Sequence, residues 1–225
     1  MDRTLFRFLQ EKKPFFQDRF FYLPQDARHC FFSESFSILP KEQPVAIEYC
    51  SGNGQWILDR AQKNPSIFWV AVEKKWKRAS QIWNRMSTMQ LENLLVVYGE
   101  AHAFTRHFLS EGAVTEAFVN FPDPWPKRRH GKHRLIQKEF VDELSRVLKK
   151  GGKITLVTDD PIYCAVICQE ICSSCAFAPE FPEPYYITEW PEYGSSFFEN
   201  LWRKKGLQIH YLRFARTVQN SIVAR

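Results

Sequence analysis

The sequence predicts an α/β fold with a doubly wound, mostly parallel sheet and an antiparallel strand near its C-terminal end. Short apolar runs alternate five times with helical segments between residues 45 and 157, which is the pattern of parallel strands joined by crossover helices. Acidic residues follow the ends of these runs, where ligands bind in open α/β sheets. A chain of 225 residues with 44% hydrophobic residues also suits one domain with a substantial core.

Residues 1–40 precede this alternation and mix basic with aromatic side chains without a clean period, as in the run Phe20-Phe21-Tyr22. A typical disordered tail contains few aromatic residues. We therefore expect residues 1–40 to form an arm that packs on a single domain of residues 41–225. Contact between this arm and RNA is an alternative that the composition leaves open.

The first apolar run, residues 45–47, leads into a glycine turn that begins with Glu48 and contains Gly52 and Gly54. A strand, a glycine turn and a helix together bind nucleotides, because glycine lets the backbone approach the ligand and the helix N-terminus is electropositive. A dinucleotide site would place a third glycine at Ile57, and Glu48 would repel phosphates. The carboxylate favours a cationic, hydroxyl-rich ligand such as S-adenosylmethionine, whereas the alternative is a purely structural turn.

The second and third apolar runs also end next to acidic residues. Residues 67–72 precede Glu73, about 20 residues beyond the glycine turn, where an acid binds ribose hydroxyls in nucleotide-binding domains. The alternative is an acid that only stabilises the start of the next helix. Residues 94–98 precede Glu100 and Ala101, and an acid at this point can address an adenine edge.

The fourth apolar run, residues 114–120, leads into the most distinctive segment of the chain, FPDPWPKRRHGKHR at residues 121–134. Two prolines fix the backbone on either side of Asp123 in a stiff, extended turn beside Trp125. Cationic and histidine side chains then form what we call the basic flap, residues 127–134. A rigid acid followed by cations indicates chemistry on a polyanion, whereas the alternative is a surface loop with solvated charges.

The fifth apolar run, residues 154–157, leads to Asp159, and we expect a helix from Pro161. Four cysteines follow: Cys164, Cys168, Cys172 and Cys175. The last three have the spacing of an iron–sulfur site, but a helix cannot wrap a cluster, so we interpret them as small buried residues and expect no metal. Residues 176–194 are rich in proline and aromatic residues and suit a functional loop, and residues 208–214 predict the antiparallel strand.

Net charge and the absence of membrane signals indicate which kind of partner the protein binds. The formal charge is +6 and the sequence pI about 9.0, which favours an acidic partner such as nucleic acid. No run approaches the roughly eighteen apolar residues of a spanning helix, and the N-terminus lacks the apolar segment of a signal peptide. We therefore expect a cytoplasmic protein with reduced cysteines that binds no membrane.

The sequence resembles the bacterial tRNA (guanine-N7)-methyltransferases, which form 7-methylguanosine in the variable loop of tRNA, at position 46. The resemblance covers roughly residues 44–214 and is strongest in Phe-Pro-Asp-Pro-Trp followed by Lys and Arg-His-x-Lys. The further matches are Glu48-x-x-x-Gly52-x-Gly54, Glu73, Thr158-Asp159, and Ser196-x-x-Glu199 with Gly206. It implies a seven-stranded, Rossmann-like class I methyltransferase fold, S-adenosyl-L-methionine as cofactor and tRNA as partner, in a monomer or a homodimer.

The resemblance also implies a role for each matching position. Asp123 matches the catalytic acid, which lies near the cofactor. The other cofactor-binding positions are Glu48, Gly52, Gly54, Glu73, Glu100 and Ala101. The substrate-binding positions are Lys127, Asp159, Ser196, Phe197, Phe198 and Glu199. The RNA-contacting positions are Arg129, His130, Gly131, Lys132, His133 and Arg134.

Three positions depart from the pattern of that family. Cys50 stands in place of the first glycine of the turn, so the turn must accommodate a Cβ atom. Glu100 replaces an Asp and is one methylene longer, and Ser196 replaces a Thr while keeping the hydroxyl. None of these changes removes an acid or a base, and we expect an active enzyme.

Guanine N7 has a free lone pair and carries no proton, so positioning should supply most of the rate. Asp123 would stabilise the positive charge that the purine gains, or fix the base through its N1 and N2 hydrogens. The base must leave its stack, and Trp125 could then stack on it. The alternatives are a methyltransferase acting on an exocyclic base amine, a catalytically silent RNA-binding module and an iron–sulfur enzyme.

Overall fold

A computed structural model describes residues 10, 13–24 and 38–217 of the chain. The strands are β1 (Phe15–Gln17), β2 (Phe20–Tyr22), β3 (Val45–Tyr49), β4 (Phe68–Glu73), β5 (Leu94–Tyr98), β6 (Val114–Asn120), β7 (Leu148–Thr158), β8 (Phe177–Pro179), β9 (Tyr186–Ile187) and β10 (His210–Arg216). The helices are α1 (Gln55–Lys63), α2 (Trp76–Thr88), α3 (Ala101–Phe108), α4 (Lys138–Val147), α5 (Pro161–Cys172) and α6 (Phe197–Lys204). None of these helices is both long and apolar enough to cross a membrane.

All strands belong to one sheet with the order β1-β2-β5-β4-β3-β6-β7-β10-β8, and β9 pairs with β10. The six strands from β2 to β7 in this order are parallel to one another. The chain moves outward from β3 to β5 and then returns to β6, so the winding reverses between β3 and β6. β10 is antiparallel to β7. The predicted doubly wound, mostly parallel sheet with an antiparallel C-terminal strand is confirmed.

Helices cover both faces of the central strands, which explains why β3 is buried along its whole length. Ile47 and Tyr49 pack in one apolar cluster with side chains of α3, α4 and α5, whereas Ala46 packs in the other with α1 and α2. Alternate residues of each strand therefore contribute to two cores. This two-sided packing fixes where the strands end, and the ends carry the acidic residues.

The sheet has more strands than the seven that the resemblance implied. At one edge, β2 runs parallel to β5, with Phe20 beside Val96, and β1 pairs with β2. At the other edge, β8 and β9 both pair with β10. These strands have only two or three residues each. Such short runs have no periodic signal, because pairing with a neighbouring strand determines their conformation.

β7 is also longer than the predicted run of residues 154–157, because it begins at Leu148. Gly152 lies inside it, and a Cβ atom there would be 2.8 Å from the carbonyl oxygen of Lys149 and 2.9 Å from that of Thr115. Glycine thus allows the close approach of β7 to β6. The helix predicted from Pro161 is confirmed as α5.

The division into an arm of residues 1–40 and one domain of residues 41–225 stays a prediction. Most of residues 1–40 lie outside the described part of the chain. Within that part, residues 20–22 form β2 and are buried. This segment therefore contributes to the sheet itself.

Candidate active site

A cavity of about 690 Å³ opens at the carboxyl ends of the parallel strands. Its walls come from the segments that follow β3, β4, β5, β6 and β7, and from α6. The volume lies within the roughly 300–1,000 Å³ of small-molecule sites. We call the ends of β3, β4 and β5 the cofactor side, and residues 121–134 together with α6 the substrate side.

The glycine turn after β3 depends on the absence of a side chain at Gly52. Its φ is 57°, and a Cβ atom there would lie 2.8 Å from Cε2 of Phe198. Its N–H donates a hydrogen bond to Oε2 of Glu73 at 2.9 Å. Gly52 therefore connects the turn to the acid of the next strand, in a conformation that residues with a Cβ atom rarely adopt.

Gly54 serves packing rather than ligand contact. It is the N-cap of α1 with φ 74°, and a Cβ atom there would lie 2.6 Å from Cγ1 of Ile82 in α2. It lies outside the cavity lining that the described residues form. The prediction that it binds the cofactor stays untested, and the contact with Ile82 gives it a role in joining α1 to α2.

Glu73 is the best-fixed acid of the cavity. Backbone N–H groups of Lys75 and Gly52 donate to its two oxygens at 2.8 and 2.9 Å, and Arg78 lies 3.9 Å away. Burial raises the pKa of its carboxyl, while the hydrogen bond from Lys75 acts in the opposite direction. Each carboxylate oxygen can accept more than one hydrogen bond, so Glu73 retains capacity for ligand hydroxyls.

Glu48 lies at the end of β3 and is only 1% exposed. Asn120 Nδ2 donates to its Oε1 at 2.6 Å, whereas its Oε2 has no hydrogen-bond partner among the described residues. Burial raises the pKa of Glu48 to about 7, against the lowering effect of the hydrogen bond from Asn120. Its side chain is not part of the lining formed by the described residues. The sequence pattern did not indicate this burial behind the cavity wall.

Glu100 and Ala101 line the cavity where the sequence predicted them. The carboxylate of Glu100 is the N-cap of α3 and accepts a hydrogen bond from the N–H of Ala103 at 2.7 Å. The longer side chain therefore still provides the cap that Asp usually supplies.

Asp123 lies at the cavity rim with its side chain 58% exposed, and Lys74 Nζ is 3.3 Å from its Oδ2. Arg134 holds the surrounding segment in place. Its guanidinium donates to the carbonyl oxygen of Pro124 at 2.8 Å and to that of Trp125 at 3.4 Å, and it stacks on the ring of Tyr163. Arg134, predicted to contact RNA, thus has a structural role in positioning Asp123.

The basic flap contains a 3-10 helix at Arg128–His133. Three of its side chains, Lys132, His133 and Arg134, line the cavity, as does Trp125. The rings of His130 and His133 lie 5.8 and 5.1 Å from that of Trp125. The other flap positions predicted to contact substrate or RNA lie outside the described lining: Lys127, Arg129, His130 and Gly131. Lys127 and Arg129 are exposed.

The substrate-binding positions near the C-terminal end divide into two groups. Asp159 and Phe198 line the cavity, and burial raises the pKa of Asp159. Ser196 is instead the N-cap of α6, where its Oγ accepts a hydrogen bond from the N–H of Glu199 at 3.1 Å. The Oε1 of Glu199 accepts from Arg203 at 3.1 Å and from Tyr211 at 2.8 Å, and Phe197 is solvent-exposed.

Several cavity residues were missed at the sequence level. Lys74, Lys75 and Arg78 bring three cations from the start of α2, and His102 and Trp202 complete other parts of the wall. The pair Lys74-Lys75 directly after Glu73 was the one visible signal. No sequence pattern predicted that Trp202 lines the cavity, because the direction of its side chain depends on how α6 packs.

The donor and acceptor set fits S-adenosylmethionine. The unpartnered Oε2 of Glu48 suits an ammonium group, because a buried carboxylate oxygen without a donor is unfavourable. Glu73 suits a ribose diol, since it is fixed by backbone donors and faces the cavity. Gly52 lies outside the described lining beside the Phe198 ring, and it supports the site by donating its N–H to Glu73.

Three of the four cysteines, Cys164, Cys168 and Cys172, lie on α5, and Cys175 follows the helix. Cys164 is buried, Cys168 is half-buried, and Cys172 and Cys175 are exposed, so the expectation of four buried residues is wrong for the last two. Along α5, from Cys164 to Cys172, the side chains turn successively away from the core. In the part of the chain that the structure describes, no group of three or more His, Cys, Asp and Glu residues is arranged to hold a metal ion.

Comparison with known proteins identifies the family of the chain. Residues 42–212 match a protein family described as "Putative methyltransferase". The tRNA (guanine-N(7)-)-methyltransferase of Chlamydia muridarum is 41% identical over 220 residues, which cover 96% of this chain and 97% of that protein. The protein of the same name from Chlamydia pneumoniae is 40% identical over 213 residues, covering 92% and 93%.

Solved structures show the fold. The 16S rRNA methyltransferase KamB has a TM-score of 0.58 at 14% identity and covers 78% of this chain and 89% of its own. Geranyl diphosphate methyltransferase in complex with SAM has a TM-score of 0.54 at 13% identity, covering 78% and 79%. Identity this low supports only the common class I methyltransferase fold. The full-length relatives decide the family: the chain belongs to the tRNA (guanine-N(7)-)-methyltransferases.

Proposed function

We propose that this protein transfers a methyl group from S-adenosyl-L-methionine to N7 of a guanine in the variable loop of tRNA, forming 7-methylguanosine. One observation carries the proposal. A single cavity brings together Glu73 and Glu100 on the cofactor side, Asp123 on the substrate side, and Lys132 of the basic flap. Family membership agrees with it. Neither a catalytically silent RNA-binding module nor a methyltransferase of exocyclic amines is favoured by any of these findings.

On the cofactor side, the residues would bind and orient S-adenosylmethionine. When bound, S-adenosylmethionine supplies an electrophilic methyl group on a sulfonium. The Glu48 carboxylate, buried next to the lining residues Cys50 and Glu73, would attract its ammonium group. Glu73 would accept hydrogen bonds from its ribose hydroxyls, and Glu100 would lie at the adenine end of the site. These contacts involve parts of the ligand that do not react, and binding energy of that kind orients the reacting carbon.

On the substrate side, the residues receive the base and the phosphates. Trp125 lines the cavity and offers a face for an unstacked guanine. Asp123 places a negative charge near the purine, which becomes positively charged when N7 is methylated. Glu199 retains a buried Oε2 without a partner among the described residues, but it lies outside the described lining. The exposed cations Lys127, Arg129 and Lys132 neutralise phosphates.

The direct test is chemical. We would incubate the purified protein with S-adenosylmethionine and unmodified tRNA, digest the RNA and identify the methylated nucleoside by mass spectrometry. We expect 7-methylguanosine. A methyl group on N2 or N6 would instead support an exocyclic amine as target, and tRNA binding without methylation would support a silent module. Because tRNA is the substrate, we place the activity in the cytoplasm.

A further inference from the structure

Tyr193 is a buried residue that neither the sequence pattern nor the family resemblance assigns a role. It ends the 3-10 helix Pro191–Tyr193 in the loop between β9 and α6 and is only 4% exposed. Its ring stacks on Trp56 of α1, with centroids 5.2 Å apart, and packs edge-on against Tyr211 at 5.4 Å. The Nε1–H of Trp56 donates to its carbonyl oxygen at 3.2 Å. The whole residue is therefore fixed against the helix that follows the glycine turn.

The hydroxyl of Tyr193 begins a chain of hydrogen bonds that ends on Glu48. It donates to Oδ1 of Asn120, and Nδ2 of Asn120 donates to Oε1 of Glu48 at 2.6 Å. All three side chains are buried. The chain thus joins the loop before α6, the end of β6 and the end of β3.

The hydrogen bonds of this chain run in one direction, from Tyr193 through Asn120 to Glu48. Because the Tyr193 hydroxyl donates to the oxygen of the Asn120 amide, the NH2 group of that amide must point at Glu48. The reversed amide would place its oxygen against the carboxylate and repel the ionised form. A donor to the carboxylate favours ionisation. A reversed amide could still donate its NH2 to the Tyr193 oxygen, but the buried hydroxyl hydrogen would then lose this acceptor. Tyr193 therefore favours the amide orientation that stabilises the anion of Glu48.

The ionisation of Glu48 is closely balanced. Burial raises its pKa to about 7, and the nearby Glu73 carboxylate of β4 raises it further. The other titratable groups facing it are the thiol of Cys50 in the turn and the phenol of Tyr193. Burial raises the pKa of both, so both are neutral near pH 7. Asn120 is the leading influence in the opposite direction.

We propose that Tyr193 is a positioning residue of the cofactor site, which acts through Asn120 to keep the Glu48 carboxylate ionised next to the lining residues Cys50 and Glu73, where its charge attracts the ammonium group of the cofactor. The proposal rests on the proposed function, because it takes Glu48 as the partner of that ammonium group. It also links the two sides of the cavity, since Tyr193 lies three residues before Ser196, the N-cap of α6.

The test is the pH dependence of cofactor-product binding. We would titrate S-adenosylhomocysteine, which keeps the ammonium group, into wild type and Tyr193→Phe by calorimetry from acidic to mildly alkaline pH. Binding weakens as pH falls through the pKa of Glu48, because the neutral acid cannot pair with the ammonium group. Tyr193→Phe keeps the ring and raises that pKa, so we expect the midpoint to move up by about one pH unit and the affinity near neutral pH to fall by up to about tenfold.

Two further variants separate positioning from general damage. Tyr49→Phe is the matched control, because it also removes a buried hydroxyl, which lies 2.7 Å from Oγ1 of Thr105. We expect its midpoint to equal that of wild type. In a Glu48→Gln background the pH dependence should disappear, and Tyr193→Phe should then add no further loss.

Each outcome decides something different. An unshifted midpoint in Tyr193→Phe, or an equal loss of affinity at every pH, would overturn the positioning role while leaving the proposed function standing. The same loss from Tyr193→Phe in the Glu48→Gln background would also overturn it. Wild-type protein that binds no S-adenosylhomocysteine at any pH would overturn the proposed function, and the inference with it.

Discussion

The two sides of the cavity are built in different ways. On the cofactor side, Glu73 is buried and held by two backbone donors, and Gly52 fits only without a side chain. On the substrate side, Asp123 is 58% exposed and the flap cations Arg129 and Lys132 are also exposed. A small ligand requires fixed, partly desolvated groups, whereas a polyanion is held by charges that stay hydrated until contact. We therefore expect changes on the two sides to have separable effects.

The largest expected effect is on the substrate side, from Asp123→Asn. The variant removes the negative charge near the purine and should lower the rate of methyl transfer at saturating substrates by about 100-fold. The dissociation constant for S-adenosylhomocysteine should change little. Single-turnover methylation and calorimetry measure the two quantities separately.

Asp142→Asn is the matched control for this change, since Asp142 forms an exposed ion pair with Lys138 at 2.6 Å on α4. Its rate should equal that of wild type. If Asp123→Asn retained the full rate, or lost cofactor binding instead of rate, the division of labour between the two sides would be wrong.

The next largest effect is on the cofactor side, from Gly52→Ala. The added Cβ atom would meet the Phe198 ring and must adopt a left-handed φ, which together cost about 1–3 kcal/mol. We expect binding of S-adenosylhomocysteine to weaken about tenfold or more, measured by calorimetry. Gly112→Ala provides the comparison, because Gly112 has φ 63° but nothing within 4 Å of its Cβ position. Equal losses in both variants would show that strain alone, and not the site, is responsible.

A smaller effect, on RNA affinity alone, is expected from Lys132→Ala. Removing one phosphate-binding cation should weaken tRNA binding severalfold and reduce the slope of log affinity against log salt by about one. Filter binding at several salt concentrations measures this slope. Lys150→Ala is the control, because Lys150 is exposed near the start of β7, at the opposite end of the sheet. An unchanged slope in Lys132→Ala would remove the flap from the RNA interface.

The smallest effect is expected from Cys50→Gly. Cys50 lines the cavity and has φ 62°, a conformation that is unfavourable for residues with a Cβ atom. Glycine should raise the free energy of unfolding by about 1 kcal/mol or less, since part of the gain is lost to the greater freedom of the unfolded chain. Denaturant unfolding measures it, and Cys50→Ser, which keeps the Cβ atom, should show no gain.

Sequence reasoning was most successful where local rules decide the structure. The five central strands, the helix from Pro161 and the acids Glu73 and Glu100 lie where the alternation and the turn residues predicted them. Buried strands and their ends are set by short apolar runs, which can be read directly from the chain. The cofactor side is made almost wholly of such strand ends.

Sequence reasoning was least successful where tertiary contacts decide the direction of a side chain. Ser196 and Glu199 match a motif, yet their described contacts are with α6 itself, Arg203 and Tyr211. The cation Lys74 reaches Asp123 across 49 positions of sequence, and no local pattern contains that pairing. The substrate side is assembled from loops, whose direction depends on packing rather than on periodicity.

The measurement that tests the central claim most directly uses tRNA transcribed with 7-deazaguanosine in place of guanosine. This replacement exchanges N7 for a C–H group and leaves the exocyclic amine and the Watson–Crick edge intact. We predict that the protein binds this tRNA but transfers no methyl group to it, while the ordinary transcript is methylated. Methyl transfer to the 7-deaza tRNA at the ordinary rate would contradict the assignment of N7 as the acceptor.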